Sequence, residues 1–474
     1  MNVGPLARGS ALGLVTLLVE KAASLVLVVA LARLLSPTDY GRYSFVVAYL
    51  TLFQIVADFG IEPILLRRLA QEPAQRRRWM AGALGLRIAM AIASVALAVV
   101  LVPVAAPGQP DLRPIVAFGA VGLLFAAQPG YRALLRSEQR LGGVLGIAVA
   151  ANVTLFVLVG IALASGGGLL EVMIAISAAH LAGFLLAAVV CRPLFRFRLE
   201  VDLPLWRSFL RESWPVGANL LVIMLGLRIA PLLLMSFRGP VEVGWLASAT
   251  RLAEALNLFA DGLMLALFPV LARLTAGDPA AVVGLVRVCA KVLCAGLLMV
   301  ILLVSELAPE ILGSLFGADF APAAPALVVL SWFALLAGLG TLYAHLLVAL
   351  GRQRVLFALN ATSAIAQVGL QTLLVSRYGL MGAASGAVLA SAANHAALYL
   401  LPATRFWIRP CVHALGGLVV LAGSLLVLAA LVPAGAPLVR ALFLPVLFLG
   451  VAVATRQIGP ADLQELRDAL RAVR

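Results

Sequence analysis

The chain reads as a succession of long apolar runs separated by short polar connections. Fourteen runs lie at about 10–35, 41–66, 80–104, 114–136, 142–165, 170–191, 213–237, 242–271, 285–306, 323–350, 354–376, 381–402, 411–432 and 438–455. A hydrocarbon core ~30 Å thick takes about 20 residues of helix. Each run is close to that length or longer. Each therefore predicts a membrane-spanning helix, not the ~10-residue alternating strand of a membrane barrel. The longest connection runs from Pro193 to Glu212, and the acidic one from Leu307 to Pro322 carries Glu310 and Asp319. None has room for a soluble domain. From Gly459 onward, Leu463, Leu466, Leu470 and Val473 share one helical face, which predicts a short amphipathic tail on the membrane surface.

Composition narrows the class. Of 474 residues 63% are hydrophobic and 12% charged, against about 25% charged in soluble domains. A soluble enzyme, a disordered chain and a secreted disulfide scaffold are excluded. The four cysteines form no Cys-x-x-Cys pair and lie in or beside apolar runs, so neither a disulfide nor a metal site is expected. The first run is too long for the core of a cleavable signal. The net charge of +14 belongs in a polytopic protein to arginine-rich cytoplasmic connections, not to nucleic-acid binding. With the N-terminus inside, the outer connections hold only Arg33, Arg42, Arg113, Arg238, Arg377 and Arg440, while the inner ones collect most of the other basic residues. The alternation runs through every connection. It predicts fourteen spans with both termini in the cytoplasm.

The sequence also repeats. At an offset of 203, Ser10 meets Ser213, Pro37 meets Pro240, Asp39 meets Glu242, Gly41 meets Gly244 and Ala57–Asp58 meets Ala260–Asp261. Tyr131 with Leu134–Leu135 similarly matches Tyr343 with Leu346–Leu347. Spans 1–6 thus correspond to spans 7–12. An even count makes this a parallel repeat about an axis along the membrane normal, an architecture in which transporters place substrate between the copies. The expected organisation is a six-helix bundle over 1–192, a linker over 193–212, a second bundle over 213–405, an appended helix pair over 406–458 and the tail over 459–474.

Charges within spans are costly and mark cavities, partners or function. They concentrate in the first three helices of each repeat: Glu20, Lys21, Asp58, Glu62 and Arg87, then Arg228, Arg251, Glu254, Asp261 and Lys291. Arg87 and Lys291 lie within two turns of cytoplasmic ends, where a long side chain snorkels to water. Arg251 and Glu254, three apart on a helix, are placed to neutralise each other. Lys21, Arg228 and Arg251 are the candidate substrate-binding cations; in a low-dielectric chamber they would hold a phosphate or pyrophosphate. Glu20, Asp58, Glu62, Glu254 and Asp261 are the candidate acids for exchanging a coupling H+ or Na+. No catalytic motif, nucleotide-binding loop or resident cofactor is expected. His180, His345, His395 and His413 are scattered, none at metal-ligand spacing from another.

Four stretches resemble a known family. Ala32-Arg33-Leu34-Leu35-Ser36-Pro37-Thr38-Asp39-Tyr40-Gly41-Arg42-Tyr43 is similar to the A-R-x-L-x-P-x-D-Y-G-x-Y/F turn of polysaccharide transport proteins. Asp58-Phe59-Gly60 with Arg67-Arg68, Ala249 to Leu256 with Phe268-Pro269, and Tyr378-Gly379-Leu380-Met381-Gly382-Ala383-Ala384 resemble later motifs in order and spacing, over roughly residues 5–405. The family is the Wzx-type oligosaccharide flippases of the multidrug/oligosaccharidyl-lipid/polysaccharide exporter superfamily. The resemblance implies two pseudo-symmetric six-helix bundles in a V with alternating access; to these the sequence adds two extra C-terminal helices, a pair that the related lipid II flippases also carry. It implies transfer of an undecaprenyl-pyrophosphate-linked oligosaccharide to the periplasmic leaflet during surface polysaccharide synthesis. It also implies lipid-linked oligosaccharide, membrane lipids and other polysaccharide assembly proteins as partners. Related lipid II flippases have a basic cavity; this chain lacks a basic residue in the middle of its second span, so only basic character carries over, to Lys21 and Arg251. A lipid II flippase and a drug/cation antiporter of the same superfamily are the alternatives. A membrane-embedded glycosyl polymerase would need larger outer loops.

Overall fold

The computed structural model describes residues 3–125, 128–198, 200–275, 277, 279–431, 437–460, 462, 464 and 467, and no β-strand occurs among them. The chain forms two compact units, Met1–Gly244 and Trp245–Arg474. Packing divides it later than the repeat does, because the seventh span packs on elements of the first repeat.

The first unit contains α1 (Val3–Leu34), α2 (Pro37–Asp58), α3 (Ile61–Gln71), α4 (Arg76–Ala105), α5 (Leu112–Val121), α6 (Gln128–Ser137), α7 (Leu141–Ala164), α8 (Leu169–Cys191) and α9 (Leu203–Phe237). The turn motif explains the start of α2. Ser36 is its N-cap, with Oγ accepting from the Asp39 amide at 3.1 Å; Pro37 opens the helix and Asp39 stands in its positive first turn. The second span is broken. Phe59 (φ 42°) and Gly60 (φ 73°) turn the chain left-handed between α2 and α3. The fourth is broken too, by a 3₁₀ turn over Gly122–Phe125 that separates α5 from α6. The second half of the expected 193–212 linker is helical: Asp202 accepts from the Leu205 amide at 3.0 Å and starts α9 at Leu203.

α9 packs on α2, α3 and α4, while α1 packs mainly on α7, and α7 on α8. A Cβ at Gly60 would lie 2.9 Å from the Gly217 nitrogen, and one at Gly217 would lie 2.6 Å from the Phe59 carbonyl oxygen. The break in the second span is therefore where α9 crosses at backbone distance. The core of this unit joins Ile61, Leu65, Leu84, Tyr131, Leu134, Cys191 and Phe209. Val100, Val104, Val153, Ile161 and Val189 point outward and exposed, as lipid-facing positions do.

The second unit contains most of α10 (Pro240–Leu274), then α11 (Pro279–Phe316), α12 (Ala324–Ala349), α13 (Gln353–Leu400), α14 (Arg405–Leu431) and α15 (Pro437–Ala454). α10 is bent by 48° between Leu265 and Leu267. α11 continues through much of the expected outer loop, so Glu310 is helical. α13 has 48 residues, about 70 Å of helix and twice a bilayer core. It is a hairpin: Gly379 (φ 54°, ψ −129°) reverses the chain. A Cβ at Gly382 would meet the Leu374 carbonyl oxygen at 2.1 Å, and one at Gly386 would meet Gln371 Cγ at 2.9 Å. The Tyr378–Ala384 motif is thus a glycine-dependent reversal between the runs expected at 354–376 and 381–402. Among the described residues, twelve helices are long and apolar enough to cross a membrane as they stand, and the bent α10 makes thirteen. Counting the α13 hairpin as two gives the fourteen spans the sequence predicts.

The appended pair is fastened to α11. Arg440 of α15 bonds Glu306 of α11 at 3.1 Å, and that carboxylate side chain is only 10% exposed. Lys291 of α11 bonds Asp462, just beyond α15, at 2.9 Å. Lys291 therefore does not snorkel; it is paired. The amphipathic face expected at Leu463, Leu466, Leu470 and Val473 lies outside the described residues.

Candidate functional site

The first unit gathers six charges on five helices. Asp58, the last residue of α2, contacts Arg87 of α4. Glu62, in the first turn of α3, is 3.0 Å from Arg136 of α6. Glu20 of α1 is 2.6 Å from Arg132 of α6. Arg87, Arg136, Asp58 and Arg132 all act electrostatically on Glu62, so the pairs form one network. Its three acids balance three arginines.

The backbone explains the arrangement. Glu62 lies at a helix N-terminus, where the partial positive charge favours it. Asp58 lies at a C-terminus, where the dipole opposes it, and needs a cation. Arg87 supplies one, and its side chain is wholly buried. This corrects the expectation that Arg87 reaches water at the cytoplasmic end. Arg132 and Arg136 are four apart and share a face of α6, which aims one at α1 and the other at α3. In the sequence both count among the basic residues gathered on the inner side, at the end of the run at 114–136, and that count does not single them out. The signal was present: Glu20, Asp58 and Glu62 inside apolar runs call for counter-ions, and an i,i+4 arginine pair at a span end offers two.

The other expected residues are dispersed. Lys21 is exposed on α1. Arg228 is half-buried on α9 and engaged with its neighbours. In the second unit Arg251 bonds Glu254 at 3.2 Å, as their spacing predicts, with both side chains partly exposed. Asp261 is exposed on α10. The repeat pairs Asp58 with Asp261 by position, but their surroundings differ. The cation of α4 meets Asp58, whereas its counterpart on α11, Lys291, turns to Asp462. That pair is 15% and 13% exposed, so Asp462→Ala is expected to strand a buried ammonium and lower the melting temperature of detergent-purified protein. Glu254→Ala breaks a solvated pair worth less than about 1 kcal/mol and is expected to leave the melting temperature unchanged.

A family model described as "Polysaccharide biosynthesis protein" matches residues 6–275. Among solved structures, the chain is similar to the lipid II flippase MurJ in an inward closed conformation, with a TM-score of 0.73, 11% identity, and 92% of this chain and 97% of that one covered. It is also similar to a multidrug resistance MATE family transporter of the MOP superfamily. The inward-facing form gives a TM-score of 0.60 at 14% identity, covering 79% of this chain and 92% of that one. The outward-facing form gives 0.57 at 15%, covering 82% and 92%. At these identities the likeness is one of fold. No match was found among curated protein sequences.

Proposed function

Because the chain belongs to the polysaccharide biosynthesis protein family, we propose that it flips an undecaprenyl-pyrophosphate-linked oligosaccharide from the cytoplasmic to the periplasmic leaflet of a bacterial inner membrane. The coarser frame is firm: a multi-pass membrane protein of the MOP transporter superfamily. The observation that carries the finer reading is the family match over residues 6–275; the fold shared with a lipid II flippase supports a lipid-linked cargo. Alternating access would expose Lys21, Arg228 and Arg251 to the pyrophosphate. A strongly charged headgroup crossing a low-dielectric region needs such cations. Protonation or Na+ binding at Glu20, Asp58, Glu62, Glu254 or Asp261 would drive the cycle. In the first unit it would free Arg132, Arg87 or Arg136 from its acid and so change the packing of α6 or α4. In this reading the protein is not an enzyme, both termini lie in the cytoplasm, and other polysaccharide assembly proteins act on the flipped product.

The test is deletion of the gene in its host, followed by the leaflet distribution of lipid-linked intermediates. The expected result is loss of surface polymer with intact oligosaccharide-lipid trapped on the cytoplasmic side. Lys21→Ala and Arg251→Ala are expected to reproduce that trapping at normal protein levels. Normal polymer with altered drug sensitivity would replace this reading with a drug antiporter. Lysis with trapped lipid II favours the second reading, peptidoglycan precursor transport, which the MurJ-like fold and the appended α14–α15 pair support.

A further inference from the structure

The first unit carries a second charged feature outside the acid–arginine network. A cavity of about 370 Å³ opens between the end of α3, the start of α4 and the start of α9, lined by Arg67, Arg68, Arg78, Trp79, Ser208 and Glu212 among others. That volume is within the range of small-molecule sites.

The cavity is built around Arg68. Its guanidinium lies 4.6 Å from the Trp79 ring centroid and 4.5 Å from that of Phe209, in the corner formed by the two perpendicular rings. Its Nη2 donates to Ser208 at 2.7 Å and to Glu212 at 2.6 Å, and its Nε donates to the same carboxylate at 3.0 Å. Nη1 is buried and has no hydrogen-bond partner among the described residues. Arg67 contacts the other oxygen of Glu212. Two guanidiniums thus share one carboxylate; Glu72 also lines the cavity and acts on Arg68, so the three lining arginines exceed the two lining carboxylates by a single charge. Arg78, the third of these arginines, has a side chain 59% exposed and a loose ion pair with Asp202 at 3.8 Å. Arg77 beside it is exposed as well.

The surroundings are those of a bilayer border. Val201, Leu203 and Trp214, on the same stretch as the cavity-lining Pro204 and Leu205, are exposed. Trp79 lines the cavity and Trp206 follows the lining Pro204 and Leu205, as tryptophans do at membrane interfaces. It is also the arginine-rich end, which the positive-inside rule assigns to the anionic cytoplasmic leaflet. A pocket with an arginine held by several contacts, a spare donor and an exposed second arginine suits the oxygens of a phosphate ester. The apolar residues at its lip suit acyl chains.

We infer that this cavity binds the phosphate of an anionic phospholipid of the surrounding leaflet, at a site distinct from the substrate-binding cations. The phosphate ester is drawn from the bilayer, with Arg68 Nη1 and Arg78 donating to its oxygens and Val201 and Leu203 bordering its chains. The inference does not depend on the identity of the transported cargo.

The test uses full-length protein in neutral detergent, titrated separately with dihexanoylphosphatidylglycerol, dihexanoylphosphatidylcholine and sodium pyrophosphate. Thermal unfolding and tryptophan emission are recorded. Phosphatidylglycerol is expected to raise the melting temperature and shift the emission saturably, phosphatidylcholine to do neither, and any response to pyrophosphate, which the substrate-binding cations would also hold, to be the same in wild type and Arg78→Gln. Arg78→Gln, at an exposed position, is expected to leave the lipid-free melting temperature unchanged and to raise the half-saturating concentration about fivefold, the effect of one arginine near a lipid surface. Arg67→Gln, half-exposed, is a second variant with the same expectation, and Arg113→Gln, at the opposite end of the unit, is expected to bind as wild type. Equal responses to the two lipids, or wild-type binding by both cavity variants, would overturn the inference. A response to pyrophosphate that matches that to phosphatidylglycerol and is weakened equally by Arg78→Gln would overturn the bilayer as its source.

Discussion

Arg87→Ala is expected to abolish accumulation of folded protein, and Arg132→Ala to leave it folded. The difference lies in burial. The Arg87 side chain is wholly enclosed and faces Asp58, which lies at the partly negative end of α2. Removing the guanidinium leaves that carboxylate beside Glu62 with its counter-ion gone. Breaking a buried pair in this way costs about 3–5 kcal/mol, against a total stability of about 5–15 kcal/mol. Arg132 and Glu20 are partly exposed, at 20% and 36%, so water replaces either partner and the loss is about 1 kcal/mol or less. Adding Asp58→Asn to Arg87→Ala removes the stranded charge and is expected to recover part of the folded protein. Size-exclusion profiles and thermal unfolding in detergent give the readout. Wild-type stability in Arg87→Ala would show that the α2–α4 pair does not hold the unit together.

This consequence was only partly legible in the sequence. Apolar runs located the spans because membrane burial imposes a length and a polarity that survive any detail of packing. Local chemistry was legible too: Ser36-Pro37 with Asp39 caps α2 by contacts within four residues, and Arg251 meets Glu254 within one helical turn. Long-range partners were not. Arg87 stands two turns from a span end, where snorkelling and burial give the same sequence; only the break at Phe59–Gly60, which turns Asp58 toward α4, decides between them. Arg132 and Arg136 looked like loop residues because the fourth span breaks before them, and a broken span carries no signature beyond a glycine and a lower apolar content. Lys291 finds Asp462 across 171 positions, a pairing that the periodicity of neither segment encodes. The dispersed cations Lys21, Arg228 and Arg251 were identified by type and depth, and a transport assay with each variant is what tests their shared role.

The repeat leads to the second large effect. Gly41→Ala is expected to destabilise the protein by about 3 kcal/mol, the upper end for forcing a methyl group into packed structure. The matched turns at Pro37 and Pro240 meet physically. A Cβ at Gly41 would lie 1.8 Å from the Pro240 carbonyl oxygen and 3.0 Å from the Gly244 nitrogen, and a Cβ at Gly244 would lie 2.7 Å from the Pro37 carbonyl oxygen. The contact is reciprocal, glycine of each copy against the proline carbonyl of the other, which is how equivalent segments meet about a local two-fold. Every obstructing atom belongs to the backbone, so no rotamer change relieves the clash and the starts of α2 and α10 must separate. Gly244→Ala, with more room, is expected to cost less. Gly160→Ala on α7, where a Cβ would meet nothing within 4 Å, is the control and is expected to be neutral. Melting temperatures in detergent should fall in the order Gly160→Ala, Gly244→Ala, Gly41→Ala. If Gly41→Ala melted with the control, the close approach of the two turns would not be a constraint on this fold. A selective loss of export at intermediate stability would instead mean that the contact must form and part during transport.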